Sequence, residues 1–207
     1  MLDGRERLIL TAEALFAQGG IEGVSLREIA AKAGQGNHNA VQYHFGSRSG
    51  LVQAIFDYRM LQMETTRGKM LEAAEAAGTL KDVRTLIEVI LLPQLALLDM
   101  YWNHSYANFL CQYLLKYSSG TKFGDFGSVL PPNLQRTFDL LRQPLDFLSE
   151  GVAQRRLVTV CFMFLNMLSI YMREDTRTAS GESFESALDD TLEQIVLALC
   201  MPLRSKK

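Results

Sequence analysis

The segment that most constrains this chain is residues 25–48, which carries the signals of two short helices joined by a turn. Ser25 stands at an N-cap position and Glu28 follows three residues later, which is the pattern of a capping box. Apolar residues at helical spacing come next, and Gly34 supplies the positive φ that ends the first helix. The segment therefore predicts a helix-turn-helix.

The second helix of this motif is predicted over residues 37–43, with Asn37 as its N-cap. Asn and Gln side chains can pair bidentately with adenine in the major groove, and His and Tyr can reach phosphates or base edges. The positions predicted to face outward carry such side chains: His38, Asn39, Gln42 and Tyr43. This is the chemistry of a DNA-recognition helix. The alternative is a small polar helix that only caps a bundle.

Two further helices flank the motif. The apolar spacing of residues 2–18 predicts an amphipathic helix that two glycines end. After the motif, Ser47 is the predicted N-cap of a long helix that extends toward Ala74. The positive end of this helix, with Arg48 beside it, is suited to a DNA phosphate. A capped helix with a solvated Arg is the alternative.

Two runs, GVSLREIAAKAG and YHFGSRSGLVQAIF in this order, resemble the N-terminal domain of the TetR family of bacterial transcriptional regulators. The resemblance covers residues 5–56. It implies an all-α fold, with a three-helix DNA-binding domain at residues 1–46 and a larger helical ligand-binding and dimerisation domain at residues 47–207. On this basis, the predicted DNA-binding residues are Ser25, Arg27, Asn37, His38, Asn39, Gln42, Tyr43, His44 and Arg48.

The sequence departs from the family pattern at the turn. Nine residues, 35–43, separate the Ala-Gly pair from His-Phe, which is one more than is common in the family. Gln42 also stands where a second Tyr is frequent. We expect residues 37–39 to absorb the additional residue, so that Gln42, Tyr43 and His44 keep the family register.

Composition limits how the chain can meet DNA. The 207 residues are 48% hydrophobic and carry a formal net charge of -2, whereas proteins that coat nucleic acid indiscriminately are usually strongly basic. Residues 25–48 alone carry a formal charge of +2. Any DNA contact is therefore expected to be local. No secretory signal is recognisable, so a cytoplasmic location is expected.

An aromatic stripe predicts the ligand site. Trp102, Tyr106, Phe109 and Tyr113 recur at helical spacing, with polar residues on the neighbouring faces. Aromatic walls with a few polar groups suit a pocket for a small apolar or aromatic effector. The alternative is ordinary core packing.

The last two predicted helices, at residues 152–174 and 184–201, favour a homodimer. The first is apolar nearly all round but too interrupted for a membrane span, so no membrane association is expected. The second carries a stripe that can complete a four-helix seam between two subunits, as the last helices of TetR-family chains usually do. This stripe consists of Leu188, Thr191, Leu192, Ile195, Val196 and Leu199.

Catalytic and metal-binding patterns are not recognisable in this sequence. It has no Ser-His-Asp order, no H-E-x-x-H and no phosphate-cradling loop, so we expect neither an enzyme nor a cofactor. Three widely separated cysteines, Cys111, Cys161 and Cys200, are expected to be reduced core residues, with a redox sensor as the alternative.

The sequence thus predicts a ligand-released repressor that binds a pseudo-palindromic operator in double-stranded DNA as a homodimer. The competing hypothesis is a protein-interaction module that retains the helix-turn-helix fold without specific DNA binding.

Overall fold

A computed structural model describes residues 3–37, 39–98, 104–117, 122–126, 129–171 and 181–203. These residues form α-helices and two short 3-10 segments, and they contain no β-strand. The helices are α1 (Gly4–Gly19), α2 (Leu26–Lys32), α3 (Ala40–Phe45), α4 (Arg48–Gln62), α5 (Glu64–Ala77), α6 (Val83–Leu91), α7 (Ser105–Tyr117), α8 (Pro132–Arg142), α9 (Glu150–Tyr171) and α10 (Phe184–Cys200). His38 and Trp102, two predicted site residues, lie outside the described residues.

Helix α1 has a complete capping box. The Asp3 carboxylate accepts a hydrogen bond from the Glu6 backbone N–H at 2.7 Å, and the Glu6 carboxylate accepts one from the Asp3 N–H at 3.3 Å. The helix ends at Gly19, where Gly20 has a φ of 81°. Most of the apolar face of α1 is fully buried, with Leu15 partly buried, and this face forms the centre of the N-terminal three-helix unit.

The long helix predicted from Ser47 toward Ala74 is wrong in one respect, because the chain forms two helices that meet at Met63. The side chain of Arg67 donates a hydrogen bond to the Met60 carbonyl at 3.1 Å. In a continuous helix that carbonyl accepts from the backbone N–H of residue 64. A side chain inserted into the backbone ladder is a recognised cause of a helix bend.

The larger helical part of the chain is built around α7 and α9. Helix α7 lies between α1 and α9, and α9 packs along α10. On the other side, α8 packs against both α5 and α6. Helix α6 ends at Leu91, and Pro93 lies in the 3-10 segment Leu92–Ala96 that follows, as expected for a residue without a backbone N–H.

More of the apolar stripe of α10 is buried within the chain than the sequence predicts. Leu192, Ile195 and Leu199 are buried, while the stripe's other members are only partly covered. We therefore correct the prediction that the whole stripe faces a second subunit. Helical periodicity marks a buried face but does not say which surface covers it.

One hydrophobic cluster extends from Leu8 in α1 to Leu199 in α10, so the N-terminal unit shares its core with the larger part. The predicted division into residues 1–46 and 47–207 stays a prediction. Among the described residues, no helix combines the length and apolar character that crossing a membrane requires.

Candidate nucleic-acid interface

Helix α2 is positioned by its predicted cap. The Ser25 hydroxyl accepts a hydrogen bond from the Glu28 backbone N–H at 3.1 Å, so this hydroxyl is occupied at the start of the helix. Arg27 lies in the same first turn and is exposed. Gly34 has a φ of 69° and turns the chain away from α2, as the sequence predicts.

Helix α3 begins later than the sequence predicts, at Ala40 instead of at residue 37. The prediction that Asn37 is its N-cap is therefore wrong. The Asn37 side-chain oxygen accepts a hydrogen bond from the Asn39 backbone N–H at 2.9 Å, which forms an Asx turn. Asn39 takes the N-cap position without a side-chain hydrogen bond to the helix. The local turn competes with the helix for the same polar groups.

The outer face of α3 presents polar and aromatic side chains. Gln42, Tyr43 and His44 are exposed, with Tyr43 at 83%, while Val41 on the opposite face is 1% exposed. The Tyr43 and His44 rings meet edge to face, with their centroids 5.0 Å apart. The structure thus places three predicted DNA-binding residues together on one exposed surface.

Arg48 has partners within the protein. Its Nη1 donates hydrogen bonds of 2.6 Å to two backbone carbonyls in the α1–α2 connection, those of Ile21 and Val24. Beside it, the Ser47 hydroxyl accepts from the Gly50 backbone N–H at 3.0 Å and caps α4. Arg48 therefore holds the connection against the start of α4. These contacts favour a structural role for Arg48 over the predicted contact with phosphate.

Arg5, which is not counted among the predicted DNA-binding residues, lies near the exposed face of α3. Its guanidinium lies over the Phe45 ring, 5.2 Å from the centroid, and the side chain is exposed. The start of α1 therefore adds positive charge next to the end of α3. Residues forty positions apart carry no local sequence signal of such a contact.

A buried ion pair joins the N-terminal unit to the rest of the protein. Glu13 in α1 accepts hydrogen bonds from Arg59 in α4 at 2.6 and 2.7 Å, and both side chains are almost inaccessible to solvent. The Ser105 hydroxyl of α7 also donates to Glu13, at 2.7 Å. Burial disfavours the charge of Arg59, but the hydrogen bonds and charge of Glu13 outweigh burial and raise its pKa.

Gln112 of α7 provides a second connection. Its side-chain oxygen accepts from the Ile21 backbone N–H at 2.8 Å, and its side-chain nitrogen donates to the Phe16 carbonyl at 2.8 Å. Lys116, one turn later, pairs with Glu22. Side chains of α7 therefore hold the C-terminal end of α1 and the residues after it, through the backbone of Phe16 and Ile21 and the side chain of Glu22.

The predicted aromatic ligand residues lie in the core. Tyr106, Phe109 and Tyr113 are buried; Phe109 stacks with Phe16, and Tyr113 stacks on Phe56 with centroids 4.3 Å apart. These contacts favour the alternative interpretation, ordinary core packing. A role of the stripe in ligand binding stays a prediction. Burial also raises the pKa of Tyr106 well above its usual value.

A cavity lies one helix face away from this stripe. It measures about 400 Å³, counted with the open space at its mouth. Its lining comes from helices α4 to α9, from Gln94 in the 3-10 segment after α6, and from Phe126 between α7 and α8. The cavity therefore contacts the same α4 that begins beside α3. The lining is mostly apolar and includes Phe56, Met60, Leu110, Leu114 and Phe138.

The cysteines do not have the environment of reactive thiols. Burial raises the pKa of Cys161 to about 12 and that of Cys111 to about 11, and it also raises the pKa of Cys200. Reactive cysteines are usually exposed and have a lowered pKa. The cysteine environments therefore favour the core interpretation over a redox sensor.

The N-terminal part of the chain matches a known protein family. Residues 8–55 fit the sequence model of a family described as bacterial regulatory proteins, tetR family. No curated protein sequence matches the chain. A TetR-family transcriptional regulator from Pectobacterium atrosepticum is 19% identical, with a TM-score of 0.45 and coverage of 94% of this chain and 91% of that one. The TetR-family transcriptional regulator PfmR from Thermus thermophilus is 18% identical, with a TM-score of 0.45 and coverage of 99% of this chain and 100% of that one.

Proposed function

We propose that this chain, whose residues 8–55 fit the sequence model of the tetR family of bacterial regulatory proteins, is a ligand-released repressor. In this proposal a homodimer binds a pseudo-palindromic DNA operator, and a small, largely apolar effector releases it. The observation that carries the proposal is the exposed face of α3, where Gln42, Tyr43 and His44 stand beside the capped start of α4. This arrangement combines groups that read bases with a helix end that favours phosphate.

The direct test is selection of a duplex from a random-sequence pool, followed by measurement of its affinity as salt is raised. Neutralised phosphates release counterions, so we expect affinity to fall steeply with salt for a DNA-binding dimer. Two half-sites about 34–36 Å apart are expected in the selected sequence. If no sequence is enriched and only weak binding remains at low salt, the interaction-module hypothesis replaces the repressor.

Substitution of Gln42 tests the reading face. We expect Gln42→Ala to relax the base preference at one position of each half-site, because a bidentate base contact contributes about 1–3 kcal/mol of discrimination. The measurement is competition between the selected duplex and duplexes with single base changes. Gln135→Ala is the control, since Gln135 is an exposed residue of α8 whose side chain donates to Asp139. An unchanged base preference in both Asn39→Ala and Gln42→Ala would show that these two residues do not contact bases.

The proposed dimer uses the outer faces of α9 and α10. Apolar side chains remain partly exposed there: Val158, Phe162, Met163, Ile170, Leu188 and Leu197. A patch of this kind on the surface of two adjacent helices is typical of a four-helix subunit interface. The buried members of the α10 stripe pack within the chain and hold α10 against α9, so that the outer faces of both helices form one surface.

We expect Leu197→Glu to convert the dimer to a monomer, because Leu197 is 66% exposed and a carboxylate on an apolar seam loses its hydration without a partner. Light scattering after size-exclusion chromatography measures the mass. Leu115→Glu is the matched control, since Leu115 is an exposed leucine on α7. A dimeric Leu197→Glu protein would place the interface elsewhere.

The proposed route from effector to DNA is α4. This helix begins beside the reading helix and contributes Phe56 and Met60 to the cavity wall. An effector shifts the equilibrium between two arrangements only by its differential affinity for them. The cavity therefore has to change shape when the two reading helices change their separation.

A further inference from the structure

Two polar side chains lie in the apolar wall of the cavity. Arg67 of α5 is 1% exposed, and Gln94 of the 3-10 segment after α6 is 6% exposed. Arginine is almost never fully buried unless a partner compensates its charge, because moving an unpaired charge out of water is costly. The partners of these two side chains therefore indicate what the cavity can bind.

The partners of Arg67 are weak for a buried cation. Its Nη1 donates to the Met60 carbonyl at 3.1 Å, and its Nη2 lies 3.8 and 3.6 Å from the thioethers of Met60 and Met63. Thioether sulfur is a weak acceptor. The Glu64 carboxylate approaches Nη1 only to 3.9 Å, beyond hydrogen-bonding distance. Nε has no hydrogen-bond partner among the described residues.

Burial lowers the pKa of Arg67 to about 10, so the guanidinium still carries its charge at neutral pH. Four further buried polar atoms have no hydrogen-bond partner within the described part of the chain: Oε2 of Glu64, the Gln94 side-chain oxygen, and the hydroxyls of Tyr106 and Tyr117. The Gln94 amide can present either its oxygen or its nitrogen, because the two ends are interchangeable by rotation. The cavity wall thus contains an incompletely paired cation and an adaptable amide.

We propose that the effector is a carboxylic acid with an apolar body, whose carboxylate pairs with Arg67 while Gln94 adds a hydrogen bond. This inference rests on the proposed function for its regulatory consequence, but the binding itself does not. A planar guanidinium offers parallel N–H groups that match a carboxylate, and Nε is already unoccupied. One cation surrounded by apolar side chains favours a monoanion over a phosphate, which needs more donors.

The position of Arg67 connects the bound acid to the reading helix. Its guanidinium donates to the Met60 carbonyl at the junction of α4 and α5. A carboxylate that pairs with Nε and Nη2 competes with the two thioethers for Nη2. Movement of Arg67 toward the acid therefore alters the junction, and α4 transmits the change to its other end beside α3.

The test compares two acids with their neutral counterparts, octanoate with octan-1-ol and 3-phenylpropanoate with 3-phenylpropan-1-ol. Titration calorimetry with the full chain at pH 7 gives each dissociation constant. We expect at least one acid to bind at least tenfold more tightly than its alcohol. We expect Arg67→Gln to weaken that acid about 10- to 100-fold and to leave the alcohol unchanged, because a charged hydrogen-bonded pair is lost. The affinity of Arg67→Lys for the acid should lie between those of the unsubstituted protein and Arg67→Gln, since lysine keeps the charge without the parallel N–H groups of a guanidinium.

Arg136→Gln is the control, because Arg136 lies on α8, is exposed and pairs with Glu75 away from the cavity. Gln94→Leu provides a second variant that does not depend on the folding of Arg67→Gln, and it should weaken only the acid. Equal binding of acid and alcohol, no binding by any probe, or full acid affinity in both Arg67→Gln and Gln94→Leu would overturn the inference. DNA binding is measured separately on the selected duplex. Acid binding that depends on Arg67, without any DNA binding, would retain this inference and reject the repressor.

Discussion

Glu13→Gln is expected to lower the free energy of unfolding by about 3–5 kcal/mol, because it leaves Arg59 buried without its counterion. The substitution preserves the size of the side chain, so packing changes little. It removes the negative charge of the carboxylate that accepts two hydrogen bonds from the Arg59 guanidinium and one from the Ser105 hydroxyl. Urea denaturation followed by circular dichroism measures the loss.

The matched control is Glu72→Gln, an exposed position on α5 where we expect a change near zero. The double variant Glu13→Leu with Arg59→Met distinguishes the cost of one unpaired buried charge from the net contribution of the ion pair. Replacement of both charges by apolar side chains should recover most of the lost stability, since no unpaired charge remains. A loss below about 1 kcal/mol in Glu13→Gln would mean that water or another group compensates Arg59.

Arg48→Met is expected to lower both stability and DNA affinity while leaving the salt dependence of binding unchanged. The guanidinium donates to the Ile21 and Val24 carbonyls, and a hydrogen bond to a charged group contributes about 1.5–3 kcal/mol. Its loss frees the α1–α2 connection from the start of α4, so the reading helix is less well positioned. A residue that acts only within the protein releases no counterion when DNA binds.

Arg27→Met provides the contrast, because Arg27 is exposed at the start of α2 near the reading helix. If it contacts phosphate, its substitution should lower the salt slope by about one while stability stays the same. Arg48→Lys should recover part of the stability, since an ammonium can reach one carbonyl. A reduced salt slope in Arg48→Met would instead assign Arg48 to phosphate binding.

The local elements of the N-terminal three-helix unit could be predicted because their causes are local. Ser25 and Ser47 cap α2 and α4 through their own hydroxyls, and Gly34 turns the chain with a positive φ. Each signal lies within four residues of its effect. The start of α3 could not be predicted in the same way, because Asn37 satisfies a local turn as readily as a helix.

The predicted ligand site shows the opposite case. The aromatic periodicity of α7 was assigned to a ligand site, but three of its residues are buried in the core, while Leu110 and Leu114 on the next face line the cavity. Arg67 stands in a polar stretch of sequence without any motif. Its burial depends on the way in which α4 and α5 bend around Met63.

What the sequence alone determined is therefore the all-helical class, the helix-turn-helix and the capped starts of α2 and α4, because backbone capping, glycine conformation and apolar periodicity act over one or two turns. The tertiary structure decided which distant polar residues meet. Glu13 is hydrogen-bonded to Arg59, 46 positions away, and Gln112 of α7 is hydrogen-bonded to Ile21 just after α1, 91 positions away. Such pairs are set by the packing of whole helices, whose free energy is summed over many weak contacts, and no short stretch of sequence contains that sum.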